Sequence, residues 1–306
     1  MRQRVRRWWL GVAVGWAAVS CVPAGKQRAP AAEPAPTRSG EGAPQVNDSE
    51  TGAKSSVIEA DARGATQGGA DQPPKKSEDS RLIPGAGSFV TLAVPEFPSA
   101  VLWVPRAAPP RPLLVATHGA TGRPEPHCER WQQLVGDRAF VLCVRGAPTN
   151  RRDPPDVSQH YYPDHRWLGR AVKANLRALE EAYAEHVDLE QAVYAGYSQG
   201  AVMGALMLME HQAPFARALL IEGQQDDWSV SAAERFVRKG GDRVALVCGF
   251  GRCAEAYARS ERTLRKGGVK ARFEHAEGAG HTYGGAVGER VAESLVWLVA
   301  EDPRWR

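Results

Sequence analysis

From residue 88 onward, eight short apolar runs alternate with amphipathic stretches, and this alternation limits the fold more than any other feature of the chain. The strand-like runs are SFVTLAV (88–94), AVLWV (100–104), PLLVATH (112–118), AFVLCV (139–144), QAVYAGY (191–197), ALLIE (218–222), RVALVC (243–248) and KARFEH (270–275). Several are nearly continuous in apolar residues, as strands covered on both faces must be. Between them lie helix-like segments. The clearest runs from Arg166 to His186, where Leu168, Val172, Leu176, Leu179 and Tyr183 recur at helical spacing. Others fall near 127–135, 200–211, 230–239, 254–266 and 286–300. Two opening strands followed by strand–helix units predict an α/β domain over 87–306: a mostly parallel eight-stranded sheet with helices on both faces, in three layers.

The first 86 residues read differently. Arg2, Arg4, Arg6 and Arg7 form a positive segment, and the apolar run Trp8 to Val19 follows it. That run is too short to span a bilayer as a mature helix and has the length of a signal-peptide core, so residues 1–20 are expected to direct export. The run ends in Ala18-Val19-Ser20-Cys21, which resembles the lipobox of bacterial lipoproteins and implies acylation of Cys21. An ordinary secretory signal beside an incidental cysteine is the alternative. From Val22 to Ser88 there is no Phe, Trp or Tyr. Such a segment cannot bury enough apolar surface to offset the entropy of ordering it, so 21–86 reads as a disordered tether.

The net charge of +4 rests on the four leading arginines; without them the chain is near neutral. No basic stripe with interleaved aromatics is present, so nucleic acid is not an expected partner. Contact with a membrane is expected through the lipid anchor only, and the chain is expected to be a monomer. Besides Cys21 there are four cysteines. Cys143 and Cys248 lie inside apolar runs, where plain buried thiols are common. Cys128 and Cys253 lie in polar stretches and can pair outside the cytosol, with Cys248–Cys253 as an alternative. None of these spacings is a metal signature, and neither metal nor cofactor is expected.

Chemistry concentrates in Gly196-Tyr197-Ser198-Gln199-Gly200, a G-x-S-x-G. An apolar run leads into the serine and a helix-like run, GAVMGALMLMEH, leads away, which is the context that holds a serine on a sharp strand-to-helix turn. A Cβ at Gly196 or Gly200 would crowd the neighbouring strand and helix. A serine hydroxyl needs a base to accept its proton. His281, in Gly278-Ala279-Gly280-His281-Thr282-Tyr283 after the last strand-like run, is the best placed, with His275 as runner-up. An oxyanion needs two N–H donors: the backbone of Gln199, and that of Ala120 or Thr121 in Thr117-His118-Gly119-Ala120-Thr121-Gly122.

His-Gly after one strand, G-Y-S-Q-G after another and G-H-T-Y near the end together resemble the α/β-hydrolase superfamily. The pattern is most similar to its esterase, dienelactone-hydrolase and polyhydroxyalkanoate-depolymerase-like groups. The resemblance covers roughly 88–300. It implies Ser198 as nucleophile, His281 as base and a substrate entering at the C-terminal edge of the sheet. The acid of that superfamily usually follows the seventh strand in a G-x-x-D, but here the place reads Gly249-Phe250-Gly251-Arg252. Asp226 and Asp227, in the loop after the sixth strand, are the preferred candidates, with Glu255 next. The Asp pair also reads as an ordinary helix N-cap. No long insertion follows the sixth strand, so no cap domain is expected. The long loop from Thr149 to Trp167 brings His160, Tyr161, Tyr162 and Trp167 toward the site side, either as a wall or packed beneath it. A serine ester hydrolase acting on a small or polymeric ester follows. A serine peptidase on the same residues, or a silent envelope-binding protein on the same scaffold, are the competing readings.

Overall fold

The computed structural model describes residues 83–154, 157–210, 215–224 and 228–306. The expected export signal, Cys21 and the tether (apart from 83–86) lie outside them, as do Asp226 and Asp227. In chain order the strands are β1 (Ser88–Leu92), β2 (Ala100–Val104), β3 (Arg111–Thr117), β4 (Phe140–Val144), β5 (Ala147–Pro148), β6 (His160–Tyr161), β7 (Val187–Tyr197), β8 (Arg217–Ile221), β9 (Arg243–Cys248) and β10 (Lys270–His275). The helices are α1 (Pro124–Val135), α2 (His165–Tyr183), α3 (Gln199–Met209), α4 (Val230–Arg238), α5 (Gly251–Lys266) and α6 (Gly285–Val299).

Eight strands form one sheet in the order β1-β2-β4-β3-β7-β8-β9-β10. The two pairings that involve β2 are antiparallel and all the others are parallel. Parallel neighbours joined through helices must be covered on both sides, and the side-chain alternation of each strand divides the core accordingly. In β9, Val244, Leu246 and Cys248 face a core shared with α2, α3, α4 and α5. Ala245 and Val247 point the other way, into a core shared with α1 and α6. In β4, Phe140, Leu142 and Val144 face the first core, Val141 and Cys143 the second. This is the three-layer arrangement that the apolar runs predict. Only residues 222–229 separate β8 from α4, so no cap domain is inserted there.

Two local features depart from expectation. The stretch 149–167 is not one long loop: β5 and β6 pair as a short antiparallel hairpin, and α2 begins at His165. Asp164 caps that helix, its carboxylate accepting the Trp167 N–H at 2.7 Å, a contact worth about 1 kcal/mol in such positions. The cysteines do not pair Cys128 with Cys253; the alternative Cys248–Cys253 is the one formed. Cys128 bonds Cys143, not Cys253, because both side chains lie in the α1 layer. Cys248 bonds Cys253, because both lie in the opposite layer. Neither Cys143 nor Cys248 is therefore a free thiol.

Candidate active site

The site is built where β3, β7, β8 and β9 end. β7 runs apolar up to Tyr197, and Ser198 then takes φ 51° and ψ −117° before α3 begins. That conformation is strained for a residue with a Cβ and persists only where neighbours enforce it. Here the Ser198 N–H donates to the Ile221 carbonyl at 2.8 Å and the Gly200 N–H to the His118 carbonyl at 3.1 Å. The flanking glycines are obligatory. A Cβ on Gly196 would stand 2.7 Å from the Gly200 backbone, and one on Gly200 would stand 2.8 Å from the His118 carbonyl oxygen.

The structure brings Ser198 and His281 together. Ser198 Oγ lies 3.0 Å from His281 Nε2, at a separation of 83 residues. His281 stands on the loop after β10, its ring packed between Tyr197 at 5.4 Å and Phe250 at 5.6 Å between centroids. Burial against these rings lowers its pKa below the ordinary histidine value of 6.5, so the imidazole is neutral and able to accept a proton at neutral pH. His275 ends β10 and stacks on Phe273.

The carboxylate facing His281 is Glu222, which the sequence reading did not single out. It follows the last residue of β8, with φ 58°. Its side chain is fully buried, and Oε2 lies 3.6 Å from His281 Nδ1. Oε1 accepts the Gly249 N–H at 2.5 Å, while Oε2 has no hydrogen-bond partner among the described residues. Desolvation raises its pKa to about 7, partly opposed by the Gly249 hydrogen bond. Glu255 is exposed on α5. The available signal was the run ALLIE: a lone acid ending a strand buried on both faces demands a partner.

The turn after β3 supplies the other wall. The Gly122 N–H closes it onto the Gly119 carbonyl at 3.0 Å. Gly119 approaches so closely that a Cβ there would meet the Ser198 Cβ at 3.2 Å. Ala120 follows Gly119 in this turn, and Gln199 is the first residue of α3. His118 braces the turn. Its Nε2 accepts the Gly146 N–H at 3.2 Å, which leaves the proton on Nδ1 to donate to the Gly119 carbonyl at 2.8 Å. Burial drives its pKa down to about 3, so it stays neutral in this role. Tyr162 is buried beneath the hairpin, donating to the Val144 carbonyl at 2.8 Å and accepting from the His118 N–H at 3.1 Å. Its backbone N–H donates to Gln199 Oε1 at 2.9 Å. Of the aromatic residues in that segment, only Tyr161 is exposed, and Trp167 packs on the core.

The cleft over the serine has a volume near 410 Å³ and is lined by Ser198, Gln199, Val202, Glu222, Gly223 and Gln224. One trio of potential metal donors occurs among the described residues, Glu222 with Cys248 and Cys253. Both sulfurs are in a disulfide, which offers no thiolate to a metal. A hydroxyl in contact with a neutral imidazole that faces a buried carboxylate can carry out acyl transfer.

No protein-family model matches the chain, and no curated protein matches it significantly. Solved structures do. Esterase PE8 superposes with a TM-score of 0.51 at 15% identity, covering 68% of this chain and 100% of its own. Est1E from Butyrivibrio proteoclasticus, with ferulic acid bound, gives 0.50 at 16% identity over 69% of this chain and 100% of its own. An uncharacterized protein from Bacillus cereus ATCC 10987 gives 0.50 at 12% identity, covering 63% of this chain and 60% of its own. At these identities the likeness is one of fold. With its sheet order, its two helix layers and its strand–Ser198–helix turn, the chain has the α/β-hydrolase fold.

Proposed function

We propose that this protein is a serine hydrolase that cleaves carboxylic esters through an acyl-enzyme on Ser198, with His281 as general base and Glu222 as the acid that orients it. The observation that carries this reading is the 3.0 Å contact of Ser198 Oγ with His281 Nε2 above a buried carboxylate. As Oγ attacks the ester carbonyl carbon, its proton passes to Nε2. The carbonyl oxygen becomes an oxyanion and receives the N–H groups of Gln199 and Ala120. The imidazolium is stabilised by Glu222, whose unpaired Oε2 faces the Nδ1 proton. His281 then protonates the departing alkoxide. Water repeats the sequence on the acyl-enzyme, releasing the acid and restoring Ser198.

The open cleft suits accessible esters, small or polymeric, and esterase PE8 shares the fold. The test is turnover of p-nitrophenyl esters by wild type and by Ser198→Ala, His281→Ala and Glu222→Gln. The first two are expected to lose on the order of 10⁵–10⁶ and the third about 10⁴. Asp226→Asn and Asp227→Asn are expected to retain most activity. A loss with either of these that Glu222→Gln does not match would return the acid to the loop after β8. Peptide amides turned over faster than esters would make the enzyme a peptidase.

The same reading places the enzyme outside the cytosol, exported by residues 1–20 and tethered through a lipid on Cys21, with no nucleic acid and no further membrane segment involved. Two disulfides within the domain fit such a compartment.

A further inference from the structure

The hydrolase reading leaves the Cys248–Cys253 bond without a task, yet it touches the most unusual group in the site. A carboxylate oxygen of Glu222 and the two sulfurs lie within 4.8 Å of one another. Both cysteines are fully buried. Cys248 ends β9, and its carbonyl accepts the Ala276 N–H at 2.8 Å. The next residue, Gly249, links acid and base. Its N–H donates to Glu222 Oε1 at 2.5 Å, and its carbonyl accepts at 3.0 Å from Gly280, the residue before His281. A side chain at Gly249 is excluded, because a Cβ there would lie 2.3 Å from the Gly280 carbonyl oxygen. Cys253 lies in the first turn of α5, the helix whose Tyr257 hydroxyl receives the Gly223 N–H at 2.9 Å. The disulfide therefore fastens the start of α5 to the peptide that holds Glu222 and the His281 loop in register.

We propose that Cys248 and Cys253 are positioning residues of the reaction, their bond fixing Gly249 so that Glu222 faces His281. A buried carboxylate with one donor and one free oxygen has little else to hold it. With the bond open, Gly249 is released and two thiols replace it beside the carboxylate, where S–H groups compete with His281 for Oε2. This proposal rests on the hydrolase reading, and its consequence is specific: the bond acts on turnover through Glu222 alone.

The experiment is a double-mutant cycle. Cys248→Ala/Cys253→Ala and the milder Cys253→Ser are each made in the wild-type and the Glu222→Gln backgrounds, and kcat and KM are measured on a p-nitrophenyl ester. Loss of the bond is expected to lower kcat about tenfold or more in the wild-type background, with KM moved less than about threefold. In the Glu222→Gln background it is expected to change kcat less than about twofold, the non-additivity of residues acting in one network. Should the double variant fail to fold, dithiol treatment of Cys128→Ala/Cys143→Ala under native conditions, with and without Glu222→Gln, supplies the same comparison, since of the two disulfides only Cys248–Cys253 is then left to open. The dithiol gives two electrons and two protons to the bond, leaving two thiols and its own disulfide. An equal loss of kcat in both backgrounds, or no loss in the first, would overturn the proposal. NMR titration of the His281 imidazole keeps the two readings apart. If wild type hydrolyses no ester, but Glu222→Gln lowers the His281 pKa only while the disulfide is closed, the hydrolase reading falls and the positioning role stands. If the shift is the same with the bond open, the positioning role falls. With the bond closed, Tyr197 and Tyr257, the other titrating groups against this pair, stay protonated throughout such a titration.

Discussion

Glu222 sits at odds with its surroundings. Its side chain is fully buried, its backbone is left-handed, and one N–H serves its two oxygens. Such strain gathers where geometry matters more than stability. Its pKa stands at about 7 in the fold against 4.5 ordinarily, so between those values the native protein binds more protons than the unfolded chain and loses stability as pH rises. By linkage the ionised form carries a stability penalty above that window. Glu222→Gln escapes it. The melting temperature of the variant relative to wild type is thus expected to be higher at pH 8 than at pH 4, even as turnover falls; a difference that shrinks with pH would contradict the burial argument. The pH–rate profile carries a second consequence. In wild type the acidic limb belongs to the His281–Glu222 pair jointly and is expected near neutrality. In Glu222→Gln only His281 titrates, lowered by burial, so the limb of kcat/KM is expected to move to lower pH. A limb that stays in place would show that the two groups do not interact.

Among the elements, the strand–turn–helix around Ser198 was the most legible in the sequence because the pattern that marks it is local. An apolar run, two glycines and a helical run suffice, and the clash of a Cβ at Gly196 or Gly200 is with atoms a few residues away or on the adjacent strand. Gly200→Ala is expected to cost at least about 2 kcal/mol in urea unfolding and to abolish ester turnover; a variant of wild-type stability would disprove the close approach. The His281 loop was legible by its glycines and its place after the last strand. Glu222 was not, because ALLIE reads as one strand, and only the register of β8 shows the ladder stopping at Ile221 before the chain turns the acid inward. By sequence, Asp226 and Asp227 are the better candidates for a reactive loop, because they follow the strand-like run and precede a helix-like one. The hairpin of β5 and β6 was illegible for a similar reason: its two-residue strands are too short to carry any period. The cysteine pairing was readable in principle. Strand alternation puts Cys143 with Val141 on one face, away from the α5 layer that holds Cys253, but which helix covers which face is a property of the assembled sheet.

For the molecule as a whole, the two disulfides divide the labour between stability and chemistry. Cys128–Cys143 closes a separation of 15 residues between α1 and β4, and neither cysteine lines the Ser198 cleft. Loop entropy gives such a bond about 3 kcal/mol. Cys128→Ala/Cys143→Ala is therefore expected to lower the melting temperature by roughly 6–12 °C while leaving kcat unchanged at 25 °C. A fall in kcat without a fall in melting temperature would reverse that assignment. The tether reading is tested by Cys21→Ser, which is expected to move the protein from the membrane fraction to the soluble extracytoplasmic fraction. Ester cleavage depends on Ser198 being the group that attacks. Its most direct measurement is labelling with a fluorophosphonate probe, followed by mapping of the modified peptide. One adduct is expected, on Ser198, lost in Ser198→Ala and strongly slowed in His281→Ala. An adduct elsewhere, equal labelling of wild type and Ser198→Ala, or none in either would contradict it.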